Sequence, residues 1–273
     1  MRQELFRIPG LDVPVHGFGA MVLLGVLSGL WVLGRSARRQ GLPPQTVVDS
    51  AVLMVLGGLV GARLFYVIQF WDQFRDNPIL GPLMLWKGGL VVYGSVFGGI
   101  VAFFIVRRRS NLPVLPTFDA MAPAVAVGMG FGRIGCLLNG CCWGKVCDAS
   151  FPLALVFPPE SPPILSEYAA VGSGLHPAQI YASVHAFLIA AILWRVSALR
   201  PAPGVVTGVL AVLYGLGRFT LENLRGDHQP SPGEWPVSAL ISVGVVLVGA
   251  ILLLRNTRET GVSEASEVPA GNA

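Results

Sequence analysis

Charge is what this sequence has least of: Asp, Glu, Lys and Arg make up 12% of its 273 residues, against 53% hydrophobic. A soluble domain carries about 25% charged residues, so this chain is not an ordinary soluble domain, and lipid is the expected solvent. A cleavable leader is also missing. No short apolar stretch ends in a small-residue cleavage site, and the first long apolar run, from Phe18, is expected to be retained. There is no duplicated half with matching interrupted helices, which argues against many secondary-transporter architectures. The formal charge of +4 comes from arginines in short clusters beside apolar segments, so it forms no basic face and excludes nucleic acid as a partner. Gly128, Gly130 and Gly132 follow no strand, so they are not a dinucleotide fingerprint.

What is present are long apolar runs: Phe18 to Leu33, Val47 to Phe70, Leu90 to Val106, Phe118 to Leu138, Ile180 to Val196, Val205 to Leu221, and Pro236 to Leu254. Crossing the ~30 Å hydrocarbon layer takes roughly 20 apolar residues. The expectation is an all-α membrane protein with seven transmembrane helices, forming a single polytopic domain over residues 1–255. Basic clusters (Arg35, Arg38, Arg39; Arg107 to Arg109; Arg195, Arg200; Arg255, Arg258) follow every odd run. By the positive-inside rule these ends face the cytoplasm, leaving the amino terminus outside and the carboxyl terminus inside. The long connection over 139–176, rich in Pro, is then a small external, periplasmic cap between helices four and five. Residues 256–273 have no apolar period and are expected to be a disordered cytoplasmic tail.

Polar residues interrupt these runs. An Arg in mid-span costs roughly 2.5–3.5 kcal/mol on insertion scales. Arg63, Arg133, Arg218 and Arg225 nevertheless sit near the outer helix ends. Any one of them is equally well explained as an anchor snorkelling to the headgroups. Their arrangement says more: Tyr214, Arg218, Glu222 and Arg225 fall at i, i+4, i+8 and i+11, one polar stripe that faces a cavity rather than lipid. Arg218 and Glu222 are also spaced for a purely structural ion pair. Gly128, Gly130, Gly132 and Gly135 serve either close helix packing or a headgroup site beside Arg133 and Asn139. Several guanidiniums converging near one leaflet suit an anionic phospholipid, because the planar fork donates two hydrogen bonds to phosphate oxygens.

At these residues the chain resembles the prolipoprotein diacylglyceryl transferase family over nearly its whole length. Gly132-Arg133-Ile134-Gly135-Cys136-Leu137-Leu138-Asn139-Gly140-Cys141-Cys142-Trp143-Gly144 resembles the family signature G-R-x-G-N-F-x-N-x-E-x-x-G. Trp86 to Gly94 resembles W-x-G-G-[ML]-x-x-H-G, with Gly88, Gly89 and Gly94 matching. Phe151 to Pro158, then His176-Pro177-Ala178-Gln179-Ile180-Tyr181, then Tyr214-Gly215 with Arg218, Glu222 and Arg225 follow in order.

The resemblance implies a bacterial inner-membrane enzyme of lipoprotein biosynthesis. Such an enzyme transfers the diacylglyceryl group of phosphatidylglycerol to the lipobox cysteine of a preprolipoprotein signal peptide, releasing glycerol phosphate without metal or other cofactor. It implies catalytic roles for Arg133, Arg218 and Tyr93. It also implies substrate contacts from Arg63, Asn139, Gly88, Gly89, Gly94, Gly144, Tyr214, Glu222, Arg225, His176 and Gln179. Tyr93 stands where the family has His, Cys136 and Cys141 stand where it has Asn and Glu, and Phe18 lacks the hydroxyl of the family's aromatic. These departures leave two rival readings open: a divergent paralogue with another acceptor, and a non-catalytic phospholipid-binding or lipid-moving protein. His176 reads equally as a structural hydrogen-bonding residue, while His16, His185 and His228 read as ordinary polar residues. Cys136, Cys141, Cys142 and Cys147 lie close together, so an oxidising compartment permits a disulfide. Cys142 with Cys147 is the preferred pair among three possible pairings. The spacing C-x4-C-C-x4-C is not a usual zinc pattern.

Overall fold

The computed structural model describes residues 4–8, 13–75, 77–78, 80–84, 88–148, 150–227 and 237–266. The motif residues Trp86 and Lys87, together with Asp76, His228 and Pro236, lie outside them. Two short antiparallel strands, β1 (Glu4–Ile8) and β2 (Val13–His16), lead into α1 (Gly17–Arg39). Then come α2 (Pro44–Gln69), a 3-10 turn at Trp71–Phe74, α3 (Leu80–Leu83), α4 (Val92–Ser110) and α5 (Val114–Asn139). Strands β3 (Val146–Cys147) and β4 (Leu155–Val156), α6 (Pro162–Leu165) and β5 (Gly174–Leu175) make up the long connection. The chain finishes with α7 (Ala178–Ala198), α8 (Val205–Glu222) and α9 (Val237–Ser266).

A helix stands at each of the seven apolar runs, and among the described residues six of them are long and apolar enough to cross a membrane. The helix that falls short is α4. It begins at Val92 rather than Leu90 and spends its last turn on Arg107, Arg108 and Arg109. A second difference is at the carboxyl end, where the backbone of α9 stays helical to Ser266 instead of ending at Leu254. The low-hydrophobicity stretch after Arg255 simply continues a helix already nucleated, and residues 267–273 lie outside the described set. The exposed surface is strongly apolar, with Leu23, Leu27, Val60, Ile68, Leu247 and Ile251 all outward, as lipid requires.

The chain forms two compact units, residues 41–117 and the remainder. Within 41–117, α2 and α4 pack through two small-residue seams, Gly57-x-x-x-Gly61 and Gly94-x-x-x-Gly98. A Cβ on Gly57 would meet the Gly98 carbonyl oxygen at 2.9 Å, and one on Gly58 the Ser95 carbonyl at 3.1 Å. Between apolar helices in lipid, such backbone approach is the main source of attraction.

In the other unit, Ala122 and Ala126 of α5, Ile189, Ala190 and Leu193 of α7, and Val206 of α8 form the core. Helix α1 reaches α5 through Gly25 and Gly29, and α9 reaches α8 at Gly208 and Gly215. Asp119, fully buried on α5, accepts hydrogen bonds from the Gly204 N–H (2.6 Å), the Thr207 N–H (2.8 Å) and the Thr207 hydroxyl (2.6 Å). It caps the amino terminus of α8, where free N–H groups and the helix dipole favour an anion. The connection between α5 and α7 folds as a three-stranded antiparallel sheet, order β3-β5-β4, over a core of Phe157, Ala169 and Leu175.

Candidate active site

The larger unit contains a cavity of about 290 Å³ whose wall is made by α1, α5, α7 and α8. Its space comes from small residues. Ala178, Ala182 and Ala186 recur at i, i+4 and i+8 along α7, and Gly132 of α5 has nothing within 4 Å of where a Cβ would stand. Into this space project Arg133 from α5, Tyr214 and Arg218 from α8, and Arg225 just beyond it. The polar stripe read from the sequence on α8 therefore does face a cavity.

The three guanidiniums are not equivalent. Arg218 Nη1 pairs with Glu222 Oε2 at 2.5 Å, and the other carboxylate oxygen of Glu222 accepts the Ser238 hydroxyl of α9 at 2.7 Å. Glu222 is buried, so its charge is tolerable only because Arg218 and, at 3.7 Å, Arg225 compensate it. Arg225 makes a two-pronged contact with Asp227, Nε to Oδ1 at 2.9 Å and Nη2 to Oδ2 at 2.7 Å. That hydrogen bonding holds Arg225 charged well above the ordinary guanidinium range. Arg133, half-buried, has no hydrogen-bond or ion-pair partner among the described residues, and its field acts on Arg218. Three guanidiniums against two carboxylates leave one positive charge uncompensated, at Arg133. A half-buried cation with free donors and like charges beside it is a site for an anion, and the planar fork matches phosphate.

The chain around this cavity is tied down by backbone pairing. Lys145 N–H donates to the Leu224 carbonyl (2.8 Å), Gly226 N–H to the Trp143 carbonyl (3.0 Å), and Gly144 bridges Arg225. Gly144 is needed for close approach, since a Cβ would collide with His176. Gln179, 1% exposed, donates its amide to the Cys141 carbonyl at 2.9 Å, and the Asn139 side chain bonds to Cys141. His176 stacks edge-on to Phe151 at 5.2 Å. Gly144, Asn139, Gln179 and His176 thus shape the turn beside the cavity and are not among the residues lining it.

Arg63 belongs to the 41–117 unit, and its five donors are all used. Nε donates to the Pro82 carbonyl (2.7 Å), Nη1 to Gly88 (2.5 Å) and Gly89 (3.0 Å), and Nη2 to Gly81 (3.0 Å) and Met84 (3.2 Å). The lipid-phosphate fork expected at Arg63 is therefore not free: this residue organises the segment between α3 and α4. Gly88 and Gly89, at φ +79 and +84, turn their carbonyls onto it, and Gly94 lies in the α2–α4 seam. Tyr93 is 64% exposed at the start of α4.

The expected Cys142–Cys147 bridge is not formed, and all four cysteines are free. Cys142 instead joins Cys136 and Cys141, whose three sulfurs lie within 4.8 Å of one another, because the chain doubles back after α5. Thiol donation from Cys136 and Cys142 pulls the Cys141 thiol below its ordinary range. Residues that sequence reasoning passed over are Asp119, Ser238 and the cavity-lining His185. For His185 a signal existed: an ionisable side chain inside an apolar span faces protein or a cavity by default.

The model of the family described as prolipoprotein diacylglyceryl transferase matches residues 3–255. The chain is 34% identical over 250 residues to the phosphatidylglycerol--prolipoprotein diacylglyceryl transferase of Clostridium tetani, covering 91% of this chain and 95% of that protein. It is 30% identical to phosphatidylglycerol--prolipoprotein diacylglyceryl transferase 2 of Clostridium perfringens, covering 96% and 99%. With the similarly named protein of Xanthomonas axonopodis pv. citri the identity is 32%, over 95% and 93%. On this match, and on the arginine-lined cavity built from the same motifs, the chain belongs to the prolipoprotein diacylglyceryl transferase family.

Proposed function

We propose that this multi-pass membrane protein transfers the diacylglyceryl group of phosphatidylglycerol to the thiol of a lipobox cysteine in a preprolipoprotein signal peptide. The products are a thioether-linked lipid and glycerol phosphate. The observation that carries this reading is the Arg133 guanidinium, unpartnered among the described residues, in a small cavity beside the fixed Arg218–Glu222–Ser238 chain. The phosphodiester of phosphatidylglycerol brings one negative charge to the one uncompensated positive charge.

The acceptor sulfur attacks the glycerol carbon that bears the phosphate. A C–S bond forms as the C–O bond breaks, the electron pair leaves on the phosphate oxygen, and the thiol proton is lost. The leaving phosphate changes from a diester with one charge to a monoester with about two near neutrality. Arg133 and Arg218 therefore bind the transition state better than the substrate, and because Arg218 is already held by Glu222 it costs little reorganisation.

Orientation follows from the positive ends. Arg38 and Arg39 close α1, Arg107 to Arg109 close α4 and Arg195 closes α7, and these ends are assigned to the cytoplasm. Arg35 stacks on Trp31 and Arg39 on Trp194, each at 3.6 Å, an aromatic–cation belt of the kind found at a membrane interface. The cavity and the 139–176 subdomain then lie toward the periplasm.

The test is direct. Purified protein supplied with phosphatidylglycerol and a lipobox peptide is expected to release glycerol phosphate and lipidate the peptide in equal amounts. Headgroup binding without release, or release with lipidation of some other acceptor only, would contradict the assignment.

A further inference from the structure

We infer that His185 of α7 is the group that takes the proton from the acceptor thiol as its sulfur attacks; this rests on the transferase reading above. The step needs a base, because a free thiol, with a pKa of about 8.5, is only a few per cent thiolate near neutrality. Among the described residues the cavity offers few choices. Arginine stays protonated, and a phenol or a thiol is by class a poor base until it has lost its own proton, which sets aside Arg133, Arg218, Arg225, Tyr214, Cys136 and Cys142. The nearby carboxylates, Glu222 and Asp227, are engaged by Arg218 and Arg225 and are not among the lining residues. His185 alone, of the described residues that line the cavity, belongs to a class suited to proton transfer near neutrality.

The packing around the ring suits this task. Ala178, Ala182 and His185 fall at i, i+4 and i+7 along α7 and all line the cavity, so the two short side chains leave open space beside the imidazole. Two contacts with α5 fix the rotation of the helix. Ser183 donates its hydroxyl to the Gly130 carbonyl at 3.0 Å, and Phe187 stands edge-on to Phe131 at 5.4 Å. The ring also lies against α8 at Gly217, where a Cβ would collide with it, and Gly217 immediately precedes Arg218. One ring nitrogen donates to the Leu213 carbonyl of the same helix. A neutral imidazole holds one N–H and one lone pair, so donation from one nitrogen leaves the other as an acceptor.

Charge in the cavity stays balanced through the step. With the diester bound, its single negative charge meets the uncompensated positive charge at Arg133, and a neutral His185 leaves that balance undisturbed. The acceptor S–H bond then breaks toward the free ring nitrogen, the C–S bond forms, and the C–O bond breaks with its electron pair going to the phosphate oxygen. The phosphate moves toward two negative charges as the ring gains one positive charge. A proton lost to bulk water instead would leave the cavity with a net negative charge beside the departing glycerol phosphate. The imidazolium returns its proton to solvent when that product leaves, and atoms and charge balance without a further reactant. Proton transfer by a positioned side chain of this kind contributes about 10²–10⁴-fold.

The experiment follows single-turnover lipidation by the full-length protein in detergent with phosphatidylglycerol. Two acceptors are compared, a lipobox peptide and the same peptide carrying selenocysteine, whose selenol is already ionised near neutrality and needs no base. His185→Gln keeps an amide donor for the Leu213 carbonyl but cannot take up a proton. It is expected to lower lipidation of the cysteine peptide by about 10²–10³-fold, to lipidate the selenocysteine peptide within about threefold of wild type, and to bind phosphatidylglycerol unchanged. Equal loss with the two peptides would make His185 a packing residue, and no loss would remove it from the chemistry; either result overturns the proposal. Wild type supplies a check that needs no variant. Its rate with the cysteine peptide is expected to rise with pH as the imidazole loses its proton and to level off below the thiol's own range. The selenocysteine profile on the same protein removes any contribution from Cys136, Cys142 or Tyr214, while Arg133, Arg218 and Arg225 keep their charge throughout. A wild-type rate that climbs tenfold per pH unit up to about 8.5 would mean that the thiolate forms without a base, and would overturn the proposal as well. Failure of the transferase reading is distinct from all of these: wild type would lipidate neither peptide and release no glycerol phosphate, and the proposal would fall with it.

Discussion

Arg133→Ala is expected to lower turnover by a factor of about 10²–10³, the usual loss when one preorganised donor to a developing oxyanion is removed. It is expected to leave thermal stability unchanged or raised. Both halves follow from the same fact. Arg133 has no protein partner among the described residues and shares a cavity with the like charge of Arg218, so the folded state gains nothing from it in the absence of substrate. A residue that costs stability and is kept is the expected signature of a functional group. Arg133→Lys keeps the charge but loses the planar two-pronged donor, and is expected to recover lipid binding more fully than turnover. The comparison is made by steady-state glycerol phosphate release alongside thermal unfolding in detergent. A strongly destabilised Arg133→Ala would mean that the side chain is a structural anchor after all.

Asp119→Ala is expected to be the opposite case, destabilising by on the order of 3 kcal/mol, since three hydrogen bonds to a buried carboxylate are lost and buried donors are left unpaired. The carboxylate joins α5 to the start of α8, the helix that carries Tyr214, Arg218 and Glu222. Asp119→Asn keeps one acceptor oxygen and is expected to fall between wild type and Ala. Thermal unfolding reads the order directly. An Ala variant as stable as wild type would remove Asp119 from the forces that hold α8 in place.

Much of the fold was legible because lipid imposes simple demands. A helix must be long and apolar, so the positions of α1, α2, α5, α7, α8 and α9 could be read from their runs, and the four-residue spacing of Tyr214, Arg218 and Glu222 located a polar face. Partners across long separations were not legible. Arg63 looked like Arg133 from sequence, both being arginines near the end of an apolar helix. Only the carbonyls of Gly81, Pro82, Met84, Gly88 and Gly89, all turned onto Arg63, show that one is saturated and the other free among the described residues. Asp119 lies 85 residues from its first partner, Gly204, and no local pattern announces such a contact. The strands β1 and β2 were missed because they precede the first apolar run and are only five and four residues long. The cysteine turn was missed because its proximity depends on left-handed backbone at Gly140 and Cys142, and left-handed backbone at a cysteine has no sequence signature.

The central claim is that the headgroup of phosphatidylglycerol binds at Arg133 between α5 and α8. Its most direct test is a phosphatidylglycerol bearing a photoreactive group on the headgroup glycerol, crosslinked to the protein in vesicles and mapped by peptide mass spectrometry. Adducts are expected on the cavity-lining residues of α5 and α8, from Met129 to Cys136 and from Tyr214 to Arg225, with sharp loss in Arg133→Ala. Adducts confined to residues 41–117, or an unchanged pattern in Arg133→Ala, would contradict the account.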